Sequence, residues 1–146
     1  MLSDLLKTYL ASTFAYYLKA QMFHWNVEGP DFSELHGFFS EIYQDAYSAV
    51  DPIAEQIRTT EEYAPGSLVR FHELTQIQDQ IKVPRARLML EELLADTQTM
   101  KDLSKQVFDT STQEGRDDIA NFAADRLAQH GKYMWQLKSY LKDARA

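Results

Sequence analysis

His24-Trp25-Asn26-Val27-Glu28-Gly29-Pro30-Asp31 opens the stretch that decides the fold, which runs on through His36 and Ser40 to Asp51 and Glu55. Two histidines stand twelve residues apart, and the Asp and Glu that follow are four apart. That last spacing puts both carboxylates on one face of a helix. Imidazole and carboxylate together form a donor set suited to iron or zinc. Gly29-Pro30 marks a break, and Asp31 with Glu34 has the form of a capping box that starts a new helix. The stretch therefore predicts a helix end, a tight turn and a second long helix that carries most of the ligand-type side chains.

Upstream, residues 2–25 place Leu2, Leu6, Tyr9, Leu10, Thr13, Tyr17 and Met22 at the i, i+3, i+4 repeat of a helix buried on one face. Downstream, the same repeat runs from Phe32 through Phe38, Phe39, Ile42, Ala46 and Ile53 to Ile57. Pro52 falls inside that helix, removes one backbone hydrogen bond and should kink it. Residues 59–82 read as a long connection with Pro65-Gly66 and one short amphipathic piece from Ser67 to Leu74. Pro84 suits the first turn of a third long helix, with Met89, Leu93, Met100, Leu103 and Val107 inward. Ser111 with Glu114 is read as the cap of a fourth, carrying Ile119, Ala123, Met134 and Leu137. Four long helices with one long crossover make an all-α bundle of ferritin-like type, as a single domain over residues 1–146.

Composition narrows the function. Hydrophobic residues make up 45% of 146, enough for one real core. No apolar run of about 18 residues appears, so no membrane span is expected. Asp4 and Lys7 interrupt the N-terminal stretch, so it does not read as a signal peptide. There is no cysteine, which rules out disulfides and thiolate metal sites and fits a cytoplasmic setting. The net charge of -7 repels phosphate backbones and would attract cations, although ordinary solubility accounts for it equally well.

The candidate ligands cannot converge within one chain. His36 and Asp51 are fifteen residues apart on one helix. At 1.5 Å per residue that is about 22 Å, yet their directions differ by only about 60°. His24, just before the turn, belongs with His36. The chain thus offers two half-sites, whereas ligands must lie within about 2.2 Å of one ion. Two copies of the second helix packed antiparallel about a twofold axis would complete two equivalent sites at an isologous interface.

The residues that carry this geometry also carry a resemblance. His24-Trp25-Asn26-Val27-Glu28-Gly29-Pro30-Asp31-Phe32, Leu35-His36, Val50-Asp51-Pro52-Ile53-Ala54-Glu55-Gln56-Ile57 and Ala64-Pro65-Gly66-Ser67 resemble the Dps-like miniferritins over nearly the whole chain. The resemblance implies hollow dodecamers built from twofold dimers. Such shells oxidise Fe(II) with hydrogen peroxide or oxygen and store ferric iron, protecting against peroxide. It implies a ferroxidase site between subunits formed by His24, His36, position 40, Asp51 and Glu55, with Trp25 beside it. The family has Asp or Glu where this chain has Ser40, so the resemblance implies one well-held iron and a weaker second site. The alternative is a catalytically weakened shell-forming or DNA-associated homologue.

In the same family, acidic residues near the start of the last helix line threefold pores. Asp117, Asp118 and Asp125 match that place, with Asn121 among them. Asp117 and Asp118 read first as charges that favour a helix N-terminus. His72 and His130 read as ordinary hydrogen-bonded histidines. A Lys-rich terminal tail, common in DNA-binding members, has no counterpart here: the C-terminal stretch offers Lys138, Lys142 and Arg145. No stable complex with duplex DNA is therefore expected near about 150 mM salt, because few phosphates can be neutralised. A gel-shift titration at that salt checks this, and a tight shifted band would contradict it.

Overall fold

The computed structural model describes residues 1–143, so Arg145 lies outside the described residues. Within them the elements are α1 (Leu2–Asn26), α2 (Phe32–Thr59), α3 (Leu68–Leu74), α4 (Ala86–Gln113) and α5 (Asp117–Leu141), with no strand. The all-α reading holds. Two antiparallel hairpins, α1–α2 and α4–α5, pack against each other to form the bundle.

Side-chain pairs give the helix directions. Tyr9 Oη lies 2.7 Å from Ser104 Oγ, and Tyr16 Oη lies 2.7 Å from Thr97 Oγ1. Each step up α1 is a step down α4, so these helices are antiparallel. Arg126 reaches Asp45 and Tyr133 reaches the Glu41 carbonyl, so α5 and α2 are antiparallel as well. It follows that α2 and α4 run the same way. The chain must return along the bundle between them, which is why the crossover is long.

The crossover is held by polar bonds and by Ile77, which is buried in the core. Ser67 caps α3 by accepting from the Arg70 N–H at 3.2 Å, yet α3 buries none of its residues. Its Phe71 ring leans on Phe14 of α1, 5.0 Å between centroids. The Gln76 N–H donates to Ser12 Oγ at 2.9 Å. Lys19 donates to the Gln78 carbonyl at 3.0 Å and pairs with Asp96 at 2.9 Å and Glu92 at 3.4 Å. Burial raises the Asp96 carboxyl above its usual range, and Lys19 opposes that rise.

Several helix ends differ from the sequence reading. Ser111 does not cap the last helix. It is buried in the final turns of α4, which continues to Gln113. The reversal is made by Gly115 at φ +71°: its N–H donates to the Thr112 carbonyl at 3.1 Å, and the Arg116 N–H to the Ser111 carbonyl at 2.8 Å. This is the Schellman arrangement, which needs a left-handed residue, so glycine was the better signal. Asp31 stands at the α2 N-cap but makes no side-chain cap bond. Helix α1 stops at Asn26, and Gly29 at φ +117° makes the turn to α2. Pro84 lies before the α4 N-cap, Arg85, and helix α2 runs through Pro52 to Thr59.

The middle of the bundle is not purely apolar. The Arg126 guanidinium, 8% exposed, meets both oxygens of Asp45 at 3.0 and 2.8 Å. His130, 1% exposed, packs edge-on to Tyr16, and its Nδ1 has no hydrogen-bond partner. It is thus not the hydrogen-bonded histidine expected. Burial first, and then the Arg126 charge, push its pKa down to about 3. The unfolded chain takes up this proton below about pH 6.5, while the folded chain resists until far lower. Stability should therefore fall as pH drops through that window, by at most about 1.4 kcal/mol per pH unit from this group. Guanidinium unfolding at about pH 7 and about pH 5 should show a smaller acid loss in His130→Leu than in the wild type.

Candidate metal centre

His24 sits in the last turn of α1 and His36 early in α2. The short turn folds the two helices back on each other and lays the imidazoles face to face, 3.8 Å between centroids and 17° from parallel. His24 Nδ1 lies 2.7 Å from the His36 carbonyl oxygen, and His36 Nδ1 lies 2.8 Å from the His24 carbonyl oxygen. A carbonyl only accepts, so each Nδ1 carries the hydrogen and donates it. In the neutral ring the lone pair then resides on Nε2. Each histidine fixes the other's tautomer and orientation, the task that backbone carbonyls perform behind metal-bound histidines. Part of this follows from helix chemistry: the His24 carbonyl, at a helix C-terminus, lacks an intrahelical partner and is free to accept.

Aromatic rings wall the pair. Phe32 stacks on His36 at 5.1 Å and 25°, and Tyr43 tilts against His24 at 5.2 Å. Trp25 points outward, 61% exposed. Ser40, one turn beyond His36, is half-buried, and its Oγ accepts from Gln44 Nε2 at 2.7 Å. Asp45, the nearest Asp along α2, is committed to Arg126.

Asp51 and Glu55 stand exposed toward the far end of α2. Among the described residues, no three His, Cys, Asp or Glu side chains come together as the ligand set of one ion. Thus the structure brings His24 and His36 together and leaves Asp51 and Glu55 apart from them, as the helix geometry requires. Asp117 and Asp118 lie exposed in the first turn of α5, and Asp118 is bound by Arg116 at 2.9 and 3.1 Å. Hydrogen bonding to Arg116 holds the Asp118 carboxyl below its ordinary range. Asn121 and Asp125 continue the same exposed helix face. The crosswise histidine bonds and the Tyr43 wall had no sequence signal, because each depends on how the turn sets the helices in phase, whereas the Gln44–Ser40 bond joins residues four apart on one helix.

The ferritin-like domain family model matches residues 3–146. This chain belongs to the ferritin-like domain family. Its relatives place it with the Dps-like miniferritins. It is 28% identical to the DNA protection during starvation protein of Helicobacter pylori, over 94% of this chain and 96% of that protein. It is 32% identical to a low temperature-induced protein of Nostoc sp., over 95% of this chain and 79% of that protein. The structure of Dps from Staphylococcus aureus superposes with a TM-score of 0.93 at 28% identity, covering 98% of this chain and 96% of that one. The miniferritin's imidazole pair yields a spectroscopic expectation. Long-range nitrogen–proton NMR correlation of the metal-free protein at neutral pH should show His24 and His36 as Nδ1-protonated tautomers. An Nε2-protonated ring at either position would contradict the crosswise bonds.

Proposed function

We propose that this miniferritin binds Fe(II) at sites shared between two subunits, oxidises it with hydrogen peroxide or oxygen, and stores ferric iron inside a hollow oligomer. One observation carries the reading: two mutually oriented imidazoles with free Nε2 atoms share broadly one face of the α1–α2 hairpin with two exposed carboxylates. The half-sites lie too far apart to serve one ion, so a second copy must bring its Asp51 and Glu55 to this chain's His24 and His36. The exposed apolar side chains Leu18, Trp25, Phe32 and Tyr47 on this hairpin favour such pairing. A dodecamer of twofold dimers is the assembly we propose, with Asp117, Asp118 and Asp125 as the acidic lining of its threefold entry pores.

Iron is the substrate in this reading. His24, Asp51 and Glu55 hold the first ion, and the carboxylates favour the ferric product by their charge. His36 and Ser40 face the second position, where Ser40 supplies a neutral oxygen already engaged by Gln44. That bond supports a second reading, a shell whose iron chemistry has weakened. No described helix is long and apolar enough to cross a membrane. A cytoplasmic location and protection against peroxide belong to the same proposal.

Two measurements test it. Native mass spectrometry should show an assembly of about 200 kDa, twelve chains of 16.9 kDa; monomer alone at micromolar concentration would refute the shared site. Anomalous diffraction at the iron edge should show one strong peak and one weak peak per interface site. Ser40→Asp should raise the weak peak and speed Fe(II) oxidation, and Asp51→Ala should abolish tight binding with helicity unchanged. Two peaks of equal full height in the unaltered protein would show that Ser40 is no handicap.

A further inference from the structure

The histidine end and the carboxylate end of the α1–α2 hairpin are joined by a row of phenols. Tyr43 of α2 touches His24, 5.2 Å between centroids. Tyr17 of α1 lies 6.2 Å from Tyr43 and 4.9 Å from Tyr47, one turn further along α2. Tyr47 and Asp51 line one small surface cavity of about 160 Å³. The row therefore starts on a metal-site imidazole and ends beside a metal-site carboxylate. Packing alone would not call for hydroxyls: phenylalanine fills the same space, and Phe14, 5.5 Å from Tyr17, does so off the row. Phenols differ from phenyl rings in losing one electron and one proton far more readily.

We propose that Tyr43, Tyr17 and Tyr47 form a one-electron relay between the two ends of the hairpin, so that two singly occupied iron sites can together reduce one hydroperoxide, here hydrogen peroxide. The proposal rests on the iron-oxidising reading above and deepens it. A hydroperoxide takes two electrons, while Fe(II) gives one. A site that holds one tight iron, because position 40 is Ser, is one electron short. In the twofold pair, each subunit's histidines serve one site and its Asp51 and Glu55 the other, so each row of phenols connects both.

The balance closes. At the site holding hydroperoxide, its own Fe(II) supplies one electron and Tyr43 the second. The O–O bond breaks, two protons enter and two waters leave. The vacancy passes through Tyr17 to Tyr47, each phenol giving up its proton as it is oxidised and regaining it when reduced. Tyr17 Oη donates to Gln21 Oε1 at 2.9 Å, which holds its proton close for return, and Tyr47, 58% exposed, exchanges its own with water. Fe(II) beside Asp51 then reduces Tyr47. In sum, two Fe(II), one hydrogen peroxide and two protons give two Fe(III) and two waters. Without the relay, the lone Fe(II) cleaves hydroperoxide to hydroxide and a hydroxyl radical.

Tyr17→Phe keeps the ring and removes the phenol, and Tyr140→Phe, packed on Phe38 away from the row, is the control. The first arm uses iron-free assembled protein, oxidised by a flash-excited ruthenium tris-bipyridine with persulfate and followed by electron paramagnetic resonance. Tyrosyl radical should spread along the row in wild type and control, giving a composite signal that Tyr17→Phe reduces and narrows. A signal indifferent to Tyr17→Phe would overturn the relay. The second arm adds Fe(II) and hydrogen peroxide with a spin trap. Wild type and control should consume two Fe(II) per peroxide with little hydroxyl adduct; Tyr17→Phe should fall toward one, with the adduct rising severalfold. Unchanged stoichiometry and adduct in Tyr17→Phe would also overturn the relay. Failure of wild type to oxidise Fe(II) at all would defeat the iron-oxidising role and the proposed coupling of two sites with it, whatever the first arm shows.

Discussion

Two hydrogen bonds across one turn, each from an imidazole to the other histidine's backbone carbonyl, anchor everything that faces outward from the α1–α2 hairpin. They tie the last turn of α1 to the start of α2 and so set the phase of two long helices. Once that phase is set, the aromatic rings beside the pair, the position of Ser40 and the direction of Asp51 follow from helical repeat alone. The same bonds direct the histidine lone pairs. A ring free to rotate would offer either nitrogen, whereas these offer Nε2.

The second constraint is rigidity. A helix cannot bring residues fifteen apart to one point, so the candidate ligands are divided by the very element that carries them. Burial follows the same division. The histidines are half-buried by their own chain, while the carboxylates and a strip of large apolar groups stand in solvent. Trp25, Phe32 and Tyr47 stay uncovered on the same hairpin, and covering them is what the proposed pairing of two copies would do. Dps proteins share this fold, and the superposition on a solved member runs nearly end to end.

Inside the bundle the chain keeps polar groups at a cost. Arg126 and Asp45 are paired with good bidentate geometry, which a buried ion pair needs to offset desolvation. His130 has no such partner and stays neutral instead, the cheaper response to burial beside a cation. Tyr9 with Ser104 and Tyr16 with Thr97 fix the register of α1 on α4 more specifically than apolar contacts would, because a one-turn slip would orphan the two phenols, while Ser104 and Thr97 keep their bonds to carbonyls of their own helix.

What the sequence determined was set by periodicity and by residue chemistry. The repeats of Leu6, Tyr9 and Leu10, of Phe39, Ile42 and Ala46, and of Met89, Leu93 and Met100 specify helices with one buried face, and such faces must pack together. The long stretch between α2 and α4 required a crossover. The spacing of His36, Asp51 and Glu55 already placed the imidazole and the carboxylates too far apart to meet within one chain, and among the described residues they do not meet. Helix ends were less legible: Ser111 and Glu114 look like a cap on paper, but Gly115 alone can take the left-handed turn without strain, so α4 runs past them. The rest belonged to tertiary structure, because it depends on which groups meet across helices. Only the folded bundle could set two Nδ1 atoms on two carbonyls, commit Asp45 to Arg126 and leave His130 Nδ1 unpartnered. Side-chain hydrogen bonds between helices act over a few ångströms and have no period along the chain, so no pattern in one dimension records them.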